Sequence, residues 1–470
     1  MNSSPSTLIL PVENQVRELD AKLLLACVAA ERGFPVILGS RPYVDFAMPE
    51  IPRGVFVAKS MRSRSALMFN IIRALGNDIV AWDEESLVRF NSSEYYSWRF
   101  SENTFAPLKH LFAWGRDDAE MFAAYPGCRG LPVHITGNPR IDLLRKEVRG
   151  YFEPAVADLR NRFGDFILIN TNFAFVNAFV QKLNLVLEAG AAGKPVVSRT
   201  GQGMSLEFAQ GMFRHQQAIY DNFARLLPLL SGWFPDYQIV LRPHPSENHA
   251  VWENIAASLT NVHIVHKGNV VPWLMAARAL LHNGCTTAVE AAVLGTPAVT
   301  YQPVTAQCYD YALPNSLSHV ARTAAEVQDL LRGIVTKKIG SLNQDSLDAT
   351  FGRHLEAASG RLAADRAIDV LVQQGYLERP PQHNAMSRRL LARLICRART
   401  GIKKINQYRP GHWNSAEYHS HRFPEISAVE VNSRIHRFRT LLGRFEKVRA
   451  RMSAPYMFSI DNLSASSRQP

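Results

Sequence analysis

Cysteine is scarce in this chain of 470 residues, which has five. Cys27, Cys128, Cys285, Cys308 and Cys396 are widely spread and form no CxxC pair. A disulfide framework and a zinc site are therefore not expected, and the odd number suits reduced thiols in a cytoplasmic setting. Long apolar runs are missing too. A membrane-spanning helix needs about 20 apolar residues, and the longest candidate, Leu23 to Ala30, falls far short. The start, Met-Asn-Ser-Ser-Pro-Ser, lacks the basic region of a secretory signal. There is no GxGxxG, no GxxxxGK followed by Ser or Thr, no HExxH and no DxD. Neither a Walker phosphate loop nor a metal-bridged diphosphate is expected, and no metal ligand or cofactor is assigned.

Acidic residues are scarce only at the end. From Pro381 to Pro470 there are 17 Lys and Arg against 5 Asp and Glu, which accounts for the whole formal charge of +12. Residues 1–380 are neutral overall. A basic tail on a neutral body suits an anionic partner, either membrane phosphates or nucleic acid. Apolar residues make up 47% and charged residues 20%, the balance of a globular protein with a large core. The length suits two to four domains of about 100–200 residues each.

Strand-like runs alternate with helical patterns. Thr7 to Pro11, Phe34 to Gly39, Gly54 to Ala58, Asn77 to Trp82, His110 to Trp114 and His134 to Thr136 read as six strands. A polar helical stretch, Arg145 to Phe163, precedes a second set: Phe166 to Asn170, Gln238 to Leu241, Val262 to Val265, Ala279 to His282 and Ala298 to Tyr301. Such alternation implies βαβ units and parallel sheets. Between the first two strands of the second set lies a mixed segment, Ala174 to Gly232, with a helix near Gln216 to Leu230. Ala324 to Gln374 reads as helical. Arg388 to Lys404 reads as a basic amphipathic helix, with Leu390, Leu391, Leu394 and Ile395 on one face, and the Ser-rich end as disordered. The expected fold is α/β, with two doubly wound Rossmann-like domains, 1–150 and 151–380, facing a cleft. A basic helical extension, 381–470, completes it.

Three strand ends carry polar groups that packing does not require. Gln238-Ile-Val-Leu runs straight into Arg242-Pro-His-Pro-Ser246. Ligands of open α/β sheets bind beyond the carboxyl ends of the strands. The two prolines restrict their neighbours and fix the angle of His244. Arg242, His244 and Ser246 together suit a phosphate, although a surface loop with an incidental His would read the same. The second end is Leu281-His-Asn-Gly-Cys-Thr-Thr287. Gly284 turns the chain, a helix opens at Thr286 or Thr287, and Glu290 completes a capping-box spacing. A helix N-terminus with two hydroxyls is an anion site, and Glu290 is placed to reach a ribose hydroxyl. If the two strands are neighbours, both ends serve one phosphate-bearing ligand. His282 reads as a packed strand-end histidine. The third end is Trp82-Asp83-Glu84-Glu85 in the first domain. Adjacent carboxylates raise at least one pKa, as a general base or acid requires; acids also simply suit a helix start. Asn172 is a candidate for the donor side. Glu13 and Arg17 are candidates for touching an acceptor.

HPHPSE, followed by NGCTTAVEAAVLGTPAV, is similar to the donor-binding half of GT-B glycosyltransferases. The HP motif, the Ser/Thr pair and the acidic motif resemble those of bacterial sialyl-, polysialyl- and Kdo-type transferases that use CMP-sugars. Glu13 to Asp20, Asp83 to Glu85, Gly137-Asn-Pro-Arg140, Thr171-Asn-Phe173 and His421-Arg-Phe-Pro424 together look like the bacterial surface carbohydrate biosynthesis protein family. The resemblance covers most of residues 7–445. It implies that His244 and Pro245 contact the CMP phosphate, that Thr286 and Thr287 hold it, and that Glu84 and Glu85 supply an acid/base or nucleophile. Ser86 stands where many relatives have Gly. The implied activity is metal-independent transfer of a nonulosonic or octulosonic acid from a CMP donor to a glycan or lipid-linked acceptor, by inversion or retention. The basic tail is then expected at the inner membrane surface, or else as a solvated terminal face or a helix packed back on the first domain, with no nucleic acid partner. A CDP-polyol phosphotransferase or a UDP-sugar epimerase remains an alternative on the same fold. A non-catalytic glycan- or nucleic-acid-binding protein remains another.

Overall fold

Short apolar strands separated by helices assemble into two mainly parallel sheets, in a computed structural model that describes residues 5–90, 92–189, 193–382 and 384–463. The chain divides into two units. The first comprises residues 1–85, 99–151 and 351–470; the second comprises residues 86–98 and 152–350. The chain thus returns to the first unit near residue 350. The basic segment 381–470 groups with that unit rather than standing apart.

The first sheet contains β1 (Thr7–Val12), β2 (Val36–Ser40), β3 (Gly54–Ala58), β4 (Asp78–Trp82), β5 (Leu108–Ala113) and β6 (Val133–Ile135). These six run parallel in the order β2-β1-β3-β4-β5-β6. All of β1 and β3 is buried, as expected of strands covered on both faces. The order reverses between β1 and β3, so the topological switch point lies there.

The second sheet contains β7 (Phe166–Asn170), then, after the two-stranded ribbon β8 (Val186–Ala189) and β9 (Lys194–Val197), β10 (Gln238–Arg242), β11 (Val262–Ile264), β12 (Ala279–His282), β13 (Ala298–Tyr301) and β14 (His319–Ala321). Its order is β11-β10-β7-β12-β13-β14, all parallel. The strands of Gln238 and Ala279 are therefore not neighbours, because β7 lies between them. Local pattern does not encode strand order. The expected juxtaposition nonetheless holds at one remove. Arg242, Asn170, His282 and Thr300 form a single row across β10, β7, β12 and β13. The reversal of strand order falls between β7 and β12.

Most of the mixed segment is one helix, Leu206–Trp233. Ser205 caps it by accepting a hydrogen bond from the Phe208 N–H, and Pro228 lies inside it. Ile219, Phe223, Leu226, Leu227 and Leu230 of this helix pack on Ile167, Ile169, Ile239 and Leu241 of the sheet. Each such buried side chain contributes about 1.5–3 kcal/mol. The stretch 324–374 is not one helical run but three helices, Ala324–Val335, Gln344–His354 and Ala363–Gln373.

The C-terminal segment holds the expected helical structure: Met386–Asn406, Ala416–Arg422 and Ala428–Leu442. It then adds an antiparallel hairpin, β15 (Val448–Ala454) and β16 (Met457–Asn462), which sequence reading missed. β16 pairs antiparallel with β2 and extends the first sheet to eight strands. Residues 464–470, most of the Ser-rich end, lie outside the described residues.

Candidate functional site

The switch point of the second sheet collects three loops. They follow β7, β10 and β12, and one carboxylate joins two of them. Glu247 is fully buried. Its Oε1 accepts from the Thr171 hydroxyl at 2.9 Å, the Phe173 N–H at 2.9 Å and the His244 N–H at 3.1 Å. Its Oε2 accepts from the Trp252 indole N–H at 3.1 Å. Burial pushes this carboxyl above its usual range, against the pull of those four donors. The loop after β12 is tied in by a reciprocal pair. The Asn172 N–H donates to the Asn283 side-chain oxygen at 2.8 Å, and the Asn283 amide donates back to the Asn172 carbonyl at 3.4 Å. Sequence reading passed over Glu247 and Asn283. The signal for Glu247 was a lone acid in a proline-rich turn that also carries Arg242 and His244.

His244 is half-buried, and its Nδ1 accepts from the Ser246 N–H at 3.2 Å. In the neutral ring Nε2 is therefore the protonated nitrogen, a donor. Arg242 departs from expectation. It is buried, and its terminal nitrogens donate to the carbonyls of Lys267 at 2.9 Å and Gly268 at 2.8 Å. Its guanidinium lies 4.7 Å from the Trp273 ring centroid. Burial brings its pKa down to about 9. Arg242 thus braces the loop after β11 instead of presenting an exposed cation. His282 is the packed strand-end residue expected: fully buried, with Nδ1 accepting from the Gly284 N–H at 2.9 Å and Nε2 donating to Ser318 Oγ at 2.8 Å. Burial lowers its pKa to about 3.

Gly284 has φ +85°, which favours glycine, and a Cβ there would lie 3.2 Å from the Tyr311 ring, close enough to press it back. The helix Thr286–Leu294 opens directly after it. Its N-cap is Cys285, whose thiol sits 2.6 Å from Thr287 Oγ1. Burial pushes that thiol up to about 11, so it stays protonated. The capping box expected from Thr287 and Glu290 is absent, because the helix starts before Thr287. Glu290 lies buried in the helix, and Thr286 and Thr287 are half-buried at its first turn.

The edge of the first sheet is built from paired charges. Glu18, on the helix Gln15–Glu31, is buried. It accepts from Lys59 at 2.6 Å, from Lys22 at 3.0 Å and from the Glu13 N–H at 2.9 Å. Burial alone would raise its pKa, but Lys22 and Lys59 hold it far below the usual carboxylate range. Lys59, just past β3, also pairs with Glu13 at 2.9 Å. Burial pulls the Lys59 pKa down, but Glu13, Glu18 and Glu85 raise it above its ordinary value. Glu13 further pairs with Arg41 at 3.3 Å and Arg422 at 2.9 Å. Against burial, these cations hold the Glu13 carboxyl well below its usual range. Arg422 also donates to Asn14 Oδ1 at 2.7 Å. The motif at His421–Pro424 thus reaches the end of β1, across a separation of 408 residues.

The acidic triplet does not share one site. Asp83 is fully buried in a two-point pair with Arg99. Glu84 is buried, 4.0 Å from Lys22. Glu85 is held at both oxygens by Arg17, at 3.0 and 3.2 Å, and keeps a side chain 37% exposed. Mutual repulsion among the three was expected; each has its own cation instead. Arg17, expected on an acceptor, is the partner of Glu85. Beside Glu84 lies a pocket lined by Glu18, Lys22, Trp82, Asn138 and Arg140, with room for about one water molecule.

No family model matches the chain, and no curated protein matches it in sequence. Among solved structures the chain is similar to the wall teichoic acid polymerase TagF, at 11% identity over 80% of this chain and 90% of that one, with a TM-score of 0.46. It is similar to the UDP-GlcNAc 2-epimerase of Methanocaldococcus jannaschii in complex with UDP-GlcNAc and UDP, at 10% identity over 78% of this chain and 99% of that one, with a TM-score of 0.48. The UDP-GlcNAc 2-epimerase of Neisseria meningitidis bound to UDP-GlcNAc gives 11% identity, 78% and 99% coverage and a TM-score of 0.47.

Proposed function

We propose that the chain is a GT-B-type glycosyltransferase that moves an acidic sugar, a nonulosonic or octulosonic acid, from a CMP-activated donor to a surface glycan precursor. The observation that carries this reading is the switch point of the second sheet, where an imidazole, two threonine hydroxyls and a helix N-terminus follow strands of one carboxyl edge. Open α/β sheets bind ligands at this position. Donors aimed at a phosphate stabilise its charge as the leaving group forms.

In the proposed transfer the acceptor hydroxyl oxygen gains a bond to the anomeric carbon and gives up its proton, while the bond from that carbon to the CMP phosphate oxygen breaks and CMP departs with the electron pair. His244 Nε2, Thr286 and Thr287 hold the phosphate, and Ser246, Pro245 and Gly284 shape its turn. Asn172 and Asn283 set the spacing of the loops after β7 and β12. Glu290 is our candidate for the ribose. In the first unit Glu85 is the accessible carboxylate, against side chains 0% exposed for Asp83 and 9% for Glu84. Glu85 is our candidate for acting on the acceptor hydroxyl, with Arg17 orienting it. Asp83 is a brace, and Glu13 keeps the buried lysine Lys59 in place.

A donor screen tests the reading. Full-length protein is offered CMP-Kdo, CMP-sialate, CMP-legionaminate and CMP-pseudaminate with a lipid-linked glycan, and CMP release is measured. One donor is expected to support transfer, and Glu85→Gln to reduce it by at least about 100-fold. Release from none of them, with turnover of a CDP-polyol or a UDP-sugar, overturns the proposal.

A further inference from the structure

We propose that the helix Met386–Asn406 lies in the plane of an anionic bilayer and seats the protein on it through an outward apolar stripe. This goes beyond the transfer reading and does not depend on it. The helix has 21 residues, seven of them Lys or Arg and none Asp or Glu. At 1.5 Å per residue it is about 32 Å long. No helix among the described residues is long and apolar enough to cross a membrane.

One face of the helix is spoken for. Ala392 and Cys396 are buried, and the Cys396 thiol donates to the Asp45 carbonyl at 3.4 Å. Arg399 and Lys403 approach the Asp45 carboxylate at 3.5 and 3.8 Å. These contacts fix the rotation of the helix on the segment Arg41–Ala47.

The opposite face is apolar and open. Leu391, Leu394, Ile402 and Ile405 recur at helical spacing and are 58%, 65%, 63% and 69% exposed. Leu390 at 50% and Ile395 at 40% widen the stripe. Cations border it on both sides: Arg388 along one flank, Arg397 and Lys404 along the other. An apolar stripe between two rows of cations is the pattern of a helix lying at a lipid interface. The long side chains extend their charge toward the headgroups while the stripe enters the acyl boundary.

Charge separates this occupant from the others. A second copy docked on the same face would bring the cations that border the stripe against their own counterparts. Nucleic acid would use the cations and leave the leucines and isoleucines in water.

The test is vesicle co-sedimentation of the full chain, with phosphatidylcholine alone and with added phosphatidylglycerol. Binding is expected to be at least about tenfold tighter with phosphatidylglycerol. Leu391→Ser, Leu394→Ser, Ile402→Ser and Ile405→Ser together are expected to weaken it at least about tenfold. Their thermal midpoint is expected to match the parent, since these side chains are already in water. Arg388→Gln, Arg397→Gln and Lys404→Gln together keep the stripe and are expected to abolish the preference for phosphatidylglycerol. Equal binding by the fourfold serine variant and the parent overturns the proposal. So does a parent that ignores vesicles but binds duplex DNA, or a stripe that governs only dimerisation. Nucleotide titration of the same variants is expected to be unchanged, which separates this proposal from the transfer reading.

Discussion

The carboxyl edges of the two sheets solve the problem of polar groups at a strand end in opposite ways. The first is filled with formal charges that neutralise one another: Glu13, Glu18, Lys22 and Lys59 lie within 3.0 Å of a partner. The second sets one buried carboxylate, Glu247, among neutral donors and turns its buried cation, Arg242, onto the carbonyls of Lys267 and Gly268. A self-compensated charge network locks a structure in place and has little charge left for a ligand. An edge built from an imidazole, hydroxyls and a helix N-terminus suits an incoming anion, because its dipoles already point outward.

The largest effect expected is on the first edge. Glu18→Gln leaves Lys22 and Lys59 buried with fewer partners and is expected to cost about 3–5 kcal/mol in urea unfolding. Glu247→Gln keeps an acceptor and the side-chain volume, and its cost is expected to be about 1–3 kcal/mol. If Glu247→Gln proves the more damaging, the contrast between a charged edge and a neutral one is wrong.

Acidity separates the units by sign. His282, in the second unit, has its pKa lowered by burial to about 3 from 6.5. Between those values the unfolded chain binds a proton that the folded one refuses. Its contribution is full above pH 6.5 and is lost as pH falls toward 3, by up to about 1.4 kcal/mol per pH unit. Asp142, in the first unit, accepts from the Ala363 and Ala364 N–H groups at 2.8 and 2.9 Å. Burial raises its pKa to about 7 from 3.8. Here the folded chain keeps a proton that the unfolded one releases, so its contribution is full below pH 3.8 and is lost as pH rises through 7. Unfolding midpoints from pH 7 to pH 5 are therefore expected to fall less for His282→Gln than for the parent, and to fall more for Asp142→Asn. Identical slopes for all three would remove the distinction.

The smallest effect on stability is expected from His244→Ala. The ring is half-buried, and the substitution is expected to move the unfolding midpoint by less than about 1 kcal/mol. Its effect is expected on nucleotide binding instead.

Much of the fold was legible. Gly54 to Ala58, Phe166 to Asn170, Ala279 to His282 and Ala298 to Tyr301 coincide with strands, because each is a compact apolar run closed by a turn residue. The hairpin β15–β16 was not legible, because Arg449, Arg451 and Ser453 dilute the apolar pattern; its place is secured by pairing with β2, a tertiary effect. The order of β10, β7 and β12 depends on long-range crossovers and leaves no local trace. At the site, the loops after β10 and β12 were legible from their chemistry. The fates of Arg242 and Asp83 were not. Each is decided by a distant partner: Lys267 and Gly268 for one, Arg99 for the other.

The central claim is that the edge of the second sheet holds a CMP phosphate. Isothermal titration of the full chain with CMP, CDP and UDP tests it most directly, with His244→Ala beside the parent. Tightest binding of CMP, weakened at least about tenfold in the variant, is the predicted result. UDP binding without CMP binding, or CMP binding that is indifferent to His244, would contradict it.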